Sequence, residues 1–70
     1  MNLARLKVEI ERHGMSVPKL ASKIGIGKKA MYQKMRGETQ FTQREIGAIA
    51  KELDLKKDGL LAIFFADVVS

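Results

Sequence analysis

The sequence predicts a single all-α domain, on three observations. Apolar residues recur at helical spacing along the chain, as at Leu3, Leu6 and Ile10. Residues that favour helix termini stand between these apolar segments. No run of four or more β-branched or aromatic residues alternates with a period of two, so nothing in the sequence indicates a strand. We therefore expect a compact domain of five short helices.

The first two helices are marked by the residues at their ends. Asn2 is a good N-cap for a helix over residues 3–13, and Gly14 suits the left-handed residue that ends it. Ser16 is expected to cap a second helix, in which Pro18 is tolerated because a first-turn residue needs no N–H donor. The inner face of this second helix is predicted to comprise Leu20, Ala21 and Ile24.

A third helix is predicted within two or three residues of the second. Gly25 ends the second helix after about two turns. Residues 28–36 are good helix formers, with Met31 and Met35 four positions apart. Two short helices joined by so tight a glycine-bearing turn form a helix-turn-helix unit, which we place at residues 16–37.

The fourth helix has the clearest start in the sequence. Residues 42–45, Thr-Gln-Arg-Glu, have the capping-box pattern, and Phe41 and Ile46 suit a hydrophobic staple around it. We expect this helix to run to about residue 53.

A fifth helix is expected over residues 58–66, with Asp58 as its cap. Its apolar run at residues 60–66 has more apolar positions than one helix face can bury in so small a domain. The run therefore either wraps the core or leaves a surface exposed for a partner. Residues 67–70 are expected to fray or to add a short extended tail.

The length and composition bound the class of protein. Seventy residues make one domain, residues 1–70, and without cysteine its core has to be compact and local. The longest segment of low charge, residues 59–66, is far shorter than the roughly 20 apolar residues of a membrane span. Because no secretory signal is visible either, we expect a cytoplasmic protein without membrane contact.

Positive charge is concentrated in the middle of the chain. The sequence has 13 Lys and Arg against 8 Asp and Glu, a net charge of +5. Residues 16–37, the basic segment, contain six bases and no acid, which gives +6; residues 1–15 add +1 and residues 38–70 add −2. If the basic segment folds into one face, that face would bind an anion.

The spacing of small and apolar residues in the basic segment resembles a known family. Counted from Val17, alanine stands at the fifth position, glycine at the ninth, and apolar residues at the tenth and fifteenth. Ala21 has to be small because the next helix packs across it, and Gly25 has to take a positive φ for the sharp turn. Over nearly the whole chain, the pattern resembles the lambda-repressor and Cro-like (XRE-type) helix-turn-helix regulators. Residues 32–42, Tyr-Gln-Lys-Met-Arg-Gly-Glu-Thr-Gln-Phe-Thr, look like the small phage-type members.

The resemblance implies a sequence-specific DNA-binding transcriptional regulator of the repressor or Cro type, with its third helix in the major groove of double-stranded DNA. The residues expected to contact bases are Lys28, Lys29, Tyr32 and Gln33. Those expected to contact phosphates are Ser16, Lys19, Lys34, Arg36, Thr39, Gln40 and Thr42. The family usually reads two half-sites, which implies a homodimer through the fifth helix. The residues expected at that interface are Leu61, Phe64, Phe65 and Val68.

Other interpretations of the same residues stay open. Each lysine could lie on a solvated helix face, and Tyr32 could cover the apolar edge between two helices. Family members often carry glutamine at the position of Val17, where its amide holds a phosphate; anchoring there would be weaker or come from Ser16. Val17 and the apolar C-terminus favour an alternative function, an antirepressor-like module that keeps the fold but captures a partner regulator.

The sequence does not indicate an enzyme. Residues 25–29, Gly-Ile-Gly-Lys-Lys, lack the earlier glycine and the following Ser or Thr of a nucleotide-binding loop, and no strand precedes them. His13 is the only histidine and there is no cysteine, so no zinc or nucleophilic site can be assembled. We expect no cofactor, no metal and no small-molecule effector.

Overall fold

The structure, a computed structural model, describes residues 1–68, and this part of the chain forms five helices. They are α1 (Leu3–Arg12), α2 (Val17–Ile24), α3 (Lys28–Met35), α4 (Gln43–Glu52) and α5 (Lys57–Phe64). No strand occurs in residues 1–68, so the predicted all-α fold is confirmed. None of the five helices has the length and apolar character needed to cross a membrane.

Three helices begin on side-chain caps at the predicted residues. The side chains of Asn2 and Ser16 each accept a hydrogen bond from the amide three residues later, at 3.0 and 3.3 Å. The capping box is complete: the Glu45 amide donates to Thr42 Oγ1 at 3.1 Å, and the Thr42 amide donates to Glu45 Oε1 at 2.9 Å. Because such caps satisfy otherwise orphaned amides, they explain how short segments become helical at these points.

The fifth helix differs from the expected one at both ends. Its N-cap is Lys56, whose side chain makes no capping hydrogen bond, so the assignment of Asp58 as the cap is wrong. Asp58 lies in the first turn instead, where a carboxylate favours the positive end of the helix dipole. The helix ends at Phe64, and a turn follows up to residue 68 in place of a frayed or extended tail. Residues 69–70 of that tail lie outside the described residues.

Buried apolar side chains from all five helices and the loop before α4 form one core. Leu20, Ala21 and Ile24 lie in it, which confirms the predicted inner face of α2. The complete set is Leu6, Ile10, Leu20, Ala21, Ile24, Met31, Phe41, Ile49, Leu53, Ile63 and Phe64. Met31 is the only fully buried residue of α3, and Met35 in its last turn is partly buried against the core.

Phe64 is a core residue, which corrects its assignment to a dimer or partner surface. Its side chain is 6% exposed, and its ring meets that of Phe41 edge to face, with centroids 5.9 Å apart at 89°. The helix ends one residue after Ile63, which is also buried, so both side chains are turned into the molecule. Part of the apolar run of α5 therefore packs into the core, which is one of the two alternatives that the sequence left open.

The turn between α2 and α3 is built as its glycine predicts. Gly25 has a φ of 79°, and the following amide, of Ile26, donates to the Ala21 carbonyl at 3.0 Å. This bond satisfies a carbonyl at the end of α2, and α3 begins three residues after Gly25. Ala21, 1% exposed, lies in the core beside this turn.

Two glycine substitutions are expected to have opposite effects on stability. Gly47 lies exposed inside α4, and a Cβ there would meet no other atom within 4 Å. Gly47→Ala is expected to raise the free energy of unfolding by about 0.5–1 kcal/mol, because alanine loses less backbone entropy in a helix. Gly25→Ala has equal space but a positive φ, so it should lower the same quantity by about 1 kcal/mol. Urea denaturation measures both, and a change of the same sign in the two variants would contradict this account.

Candidate functional site

The start of α3 carries two lysines that have no partner in residues 1–68. Lys28 and Lys29 are both exposed, and neither makes an ion pair or a side-chain hydrogen bond within this part of the chain. Gly27, the N-cap, has no side chain to bind the free amides, and the first turn contains no acidic residue. The helix dipole adds partial positive charge at the same end. This end of α3 is therefore suited to binding an anion. Without an anion, the charges gathered there repel one another and destabilise the helix start.

The start of α2 shares a groove with Tyr32 of α3. Lys19 is exposed and makes no ion pair in the described residues. Ser16 is also exposed; its Oγ accepts the capping hydrogen bond, which leaves its hydroxyl proton free to donate. Both predicted phosphate contacts at α2 are thus accessible.

The side chain of Lys34 lies mostly inside the protein, in contrast to the exposed side chains at the starts of α2 and α3. Its side chain is 13% exposed, and Nζ donates to the Gln40 carbonyl at 2.9 Å. The same ammonium lies 3.3 Å from Glu45 Oε1 and 5.8 Å from the centroid of the Phe41 ring. Because the ammonium of Lys34 is already paired inside the protein, it is poorly placed for the phosphate contact predicted from the sequence.

Two further bases of the basic segment have carboxylate partners from later in the chain. Arg36 Nε donates to Glu38 Oε2 at 2.6 Å, and the Arg36 guanidinium lowers the pKa of that carboxyl. Lys23 Nζ lies 3.9 Å from Glu52 Oε1. Both sides of the Arg36 pair are more than half exposed, and such pairs contribute little and exchange readily. Fewer bases of the basic segment therefore present an uncompensated charge at the surface than its sequence suggests.

The loop after α3 and the start of α4 expose the remaining predicted phosphate contacts. Thr39, Gln40 and Thr42 are exposed, although the Gln40 carbonyl is used by Lys34 and Thr42 Oγ1 by the capping box. The capping box binds two amides at this helix start. The amides of residues 43 and 44 lie between these two and are free to donate to an acceptor outside the protein.

A shallow groove between α1 and α3 contains Tyr32. Tyr32 is 37% exposed, whereas Gln33, beside it in sequence, is half-buried. The groove is lined by Leu3, Ala4, Lys7, Val17, Tyr32 and Met35. The tyrosine thus covers an apolar edge between helices while keeping part of its ring accessible. Lys7 is exposed at the same groove; the sequence-based reasoning missed it, since nothing in α1 indicates that it faces α3.

The exposed apolar residues near the C-terminus form a second surface. Phe65 is 42% exposed and Val68 80%, whereas Leu61 is half-buried. With Phe64 in the core, three of the four residues predicted for a dimer or partner surface remain accessible.

The carboxyl of Glu45 predicts a pH dependence of stability. Burial alone would raise its pKa, but the Thr42 amide and the Lys34 ammonium outweigh burial and hold the pKa below its ordinary value of 4.5. A carboxyl with a lower pKa in the folded state adds stability above its unfolded pKa and loses it as the pH falls through the folded pKa. We expect the free energy of unfolding to fall as the pH drops below about 4.5, and to fall less steeply in Glu45→Gln.

Urea denaturation across the acid range measures this effect. Glu38→Gln is the matched control, because Glu38 is an exposed carboxyl whose pKa is also lowered. Screening by solvent should make its contribution the smaller one. An acid dependence that is the same in Glu45→Gln as in the unsubstituted protein would contradict the role given to Glu45.

Comparisons of the chain with protein-family models, with curated proteins and with solved structures find no match. Only the site itself therefore indicates a function. Its features are two lysines at an uncapped helix start, unpaired within residues 1–68, accessible polar groups on both sides of that helix, and an apolar groove beside it.

Proposed function

We propose that the protein is a sequence-specific DNA-binding transcriptional regulator of the repressor or Cro type, with α2 and α3 as a helix-turn-helix unit. The start of α3 carries the proposal. Lys28 and Lys29 place two positive charges at the positive end of a helix dipole, with no cap and no carboxylate partner in residues 1–68. This arrangement is unfavourable in the free domain and becomes favourable when a polyanion binds.

The base contacts follow from the position of α3 in the major groove. Lys28 and Lys29 would donate to guanine O6 and N7, and Gln33 would pair with adenine N6 and N7. Tyr32 would offer its accessible ring edge to a thymine methyl or its hydroxyl to a phosphate. All four residues lie on α3, with the two lysines in its first turn, where a recognition helix contacts base edges.

The phosphate contacts lie on both sides of α3 along the chain. Ser16 and Lys19 stand at the start of α2, before α3. The contacts that follow α3 are Arg36, Thr39, Gln40 and Thr42. Arg36 would exchange its exposed partner Glu38 for a phosphate, at little cost in stability. The two groups would hold the domain on the DNA backbone while α3 reads the bases.

Selection of bound sequences from random duplexes tests the proposal directly. A single enriched motif is expected, and the logarithm of its affinity should fall with the logarithm of salt concentration by about 0.9 per neutralised phosphate. No enrichment, or an affinity that does not respond to salt, would refute DNA binding. A motif with two-fold symmetry would also support a homodimer, whose interface we place at Leu61, Phe65 and Val68.

A second candidate function is capture of a partner regulator protein, and the groove between α1 and α3 favours it. Val17, Leu3 and Met35 give this groove an apolar lining next to Tyr32. Val17→Gln separates the two functions. If α2 is anchored on a phosphate, the added amide should strengthen DNA binding a few-fold, by about one net hydrogen bond. If the groove captures a protein, the polar side chain should weaken that capture and leave DNA binding absent.

A further inference from the structure

Lys34 connects α3 to α4 across the intervening loop. It lies in the last turn of α3, and its three ammonium partners belong to three different places. The Gln40 carbonyl lies in the loop, the Phe41 ring in the core and the Glu45 carboxylate in α4. A hydrogen-bonded carbonyl, a carboxylate in an ion pair and a ring face thus surround the ammonium.

The carboxylate that Lys34 contacts also holds the start of α4. Glu45 Oε1 lies 3.3 Å from Lys34 Nζ and accepts the Thr42 amide at 2.9 Å. Glu45 is 7% exposed, so removing its cation would leave a largely buried carboxylate with less compensation. A change at Lys34 therefore affects the loop and the first turn of α4 together.

The apolar contacts of α3 with the core include Met31, which is fully buried, and Met35, which is partly buried in the last turn. Such contacts are non-directional and by themselves leave a short helix free to rotate slightly about its axis. Lys34 adds a hydrogen bond and an ion pair with specific partners in the same last turn, and these restrict that rotation. It lies six residues from Lys28 and five from Lys29.

We infer that Lys34 is a positioning residue for the proposed DNA-reading helix: it fixes the orientation of α3 through Gln40, Phe41 and Glu45, and it neutralises no phosphate. The inference rests on the proposed function. It has a specific consequence, because losing a positioning residue misplaces the base contacts but leaves the number of phosphate contacts unchanged. Loss of a phosphate contact has the opposite signature, a weaker affinity for every sequence and a smaller salt dependence.

The test compares Lys34→Gln with Lys19→Gln, in which an exposed proposed phosphate contact is lost. Affinities for the selected duplex and for an unrelated duplex are measured over a series of salt concentrations. Lys34→Gln is expected to lower the affinity for the selected duplex about ten-fold, the equivalent of one lost base contact, with the salt slope unchanged. Lys19→Gln is expected to weaken both duplexes alike and to reduce the slope by about 0.9.

Lys34→Arg provides a second variant that retains the charge, in case Lys34→Gln does not fold. At a phosphate contact, arginine binds at least as well as lysine. At a site that encloses a compact ammonium, the planar guanidinium does not fit, so the preference for the selected duplex should fall although the charge is kept. Circular dichroism confirms that each variant is folded before binding is measured.

The outcomes separate the inference from the proposed function. If the unsubstituted protein selects no duplex, the proposed function fails and the inference fails with it. If it does select one, and Lys34→Gln reduces the slope as Lys19→Gln does, or Lys34→Arg binds as well as the unsubstituted protein, only the inference is overturned.

Discussion

Replacing Lys28 and Lys29 together by glutamine is expected to weaken binding to the selected duplex on the order of 100-fold while making the domain more stable. Each lysine is a proposed base contact, and such contacts are worth about 1–3 kcal/mol. Each also places a cation at the positive end of the α3 dipole, which costs roughly 0.3–1 kcal/mol when no anion is bound. Glutamine keeps a similar helix propensity, so the free energy of unfolding should rise by roughly 0.5–2 kcal/mol.

A matched double variant tests whether this effect depends on position. Lys51→Gln with Lys57→Gln removes the same two charges from exposed positions on α4 and α5. It should reduce affinity only slightly, through the weaker long-range field of the protein. Titrations with fluorescent duplex measure binding, and urea denaturation measures stability.

Two results would contradict the role of Lys28 and Lys29. An equal loss of affinity in the matched variant would mean that binding depends on net charge alone. A loss of stability in the Lys28 and Lys29 variant would mean that these side chains support the fold, so that weaker binding would not identify them as contacts.

Replacing Phe64 by alanine is expected to destabilise the protein strongly. Removing a buried phenylalanine costs about 3–5 kcal/mol, and this one also loses its edge-to-face contact with Phe41. A domain of 70 residues has a total stability of roughly 4–10 kcal/mol, so a loss of this size removes a third of it or more. Thermal melting followed by circular dichroism measures the loss, which should appear as a large fall in the melting temperature.

Phe65→Ala, one residue further along, is the control for this prediction. Phe65 is 42% exposed, so its replacement should change stability by less than about 1 kcal/mol. It should instead weaken self-association, which analytical ultracentrifugation of both proteins measures. If Phe64→Ala is as stable as Phe65→Ala, Phe64 does not hold the core. If the unsubstituted protein is only monomeric, with and without duplex DNA, the proposed homodimer is wrong.

Local signals in the sequence predicted most of the fold. Asn2, Ser16 and Thr42 cap helices as expected, and Gly25 takes the predicted left-handed conformation. Caps and tight turns involve residues within four positions of each other, so their effect can be recognised from the order of residues. The start of α5 was missed because Lys56 makes no side-chain cap and therefore leaves no recognisable signal.

The candidate site was only partly predictable, and Lys34 shows why. Along the sequence it is one of six bases in a segment that contains no acid; in the structure it is paired with Glu45, eleven positions later. Lys23 likewise meets Glu52, from another helix. Lys7, the exposed cation beside Tyr32, belongs to α1, and nothing in the sequence of that helix shows that it lies beside α3. These relations depend on which helices pack together.

The order of residues is enough to predict the helical class of this protein, the positions of most helix ends and the concentration of basic residues in one segment, because each is a property of residues close together in the chain. Which of those charges remain at the surface depends on how the helices pack. Packing α4 against α2 and the end of α3 brings carboxylates to Lys23 and Lys34 and leaves Lys28 and Lys29 without one in the described part of the chain. An ion pair between distant residues requires their helices to be in contact, and that contact is set by the core.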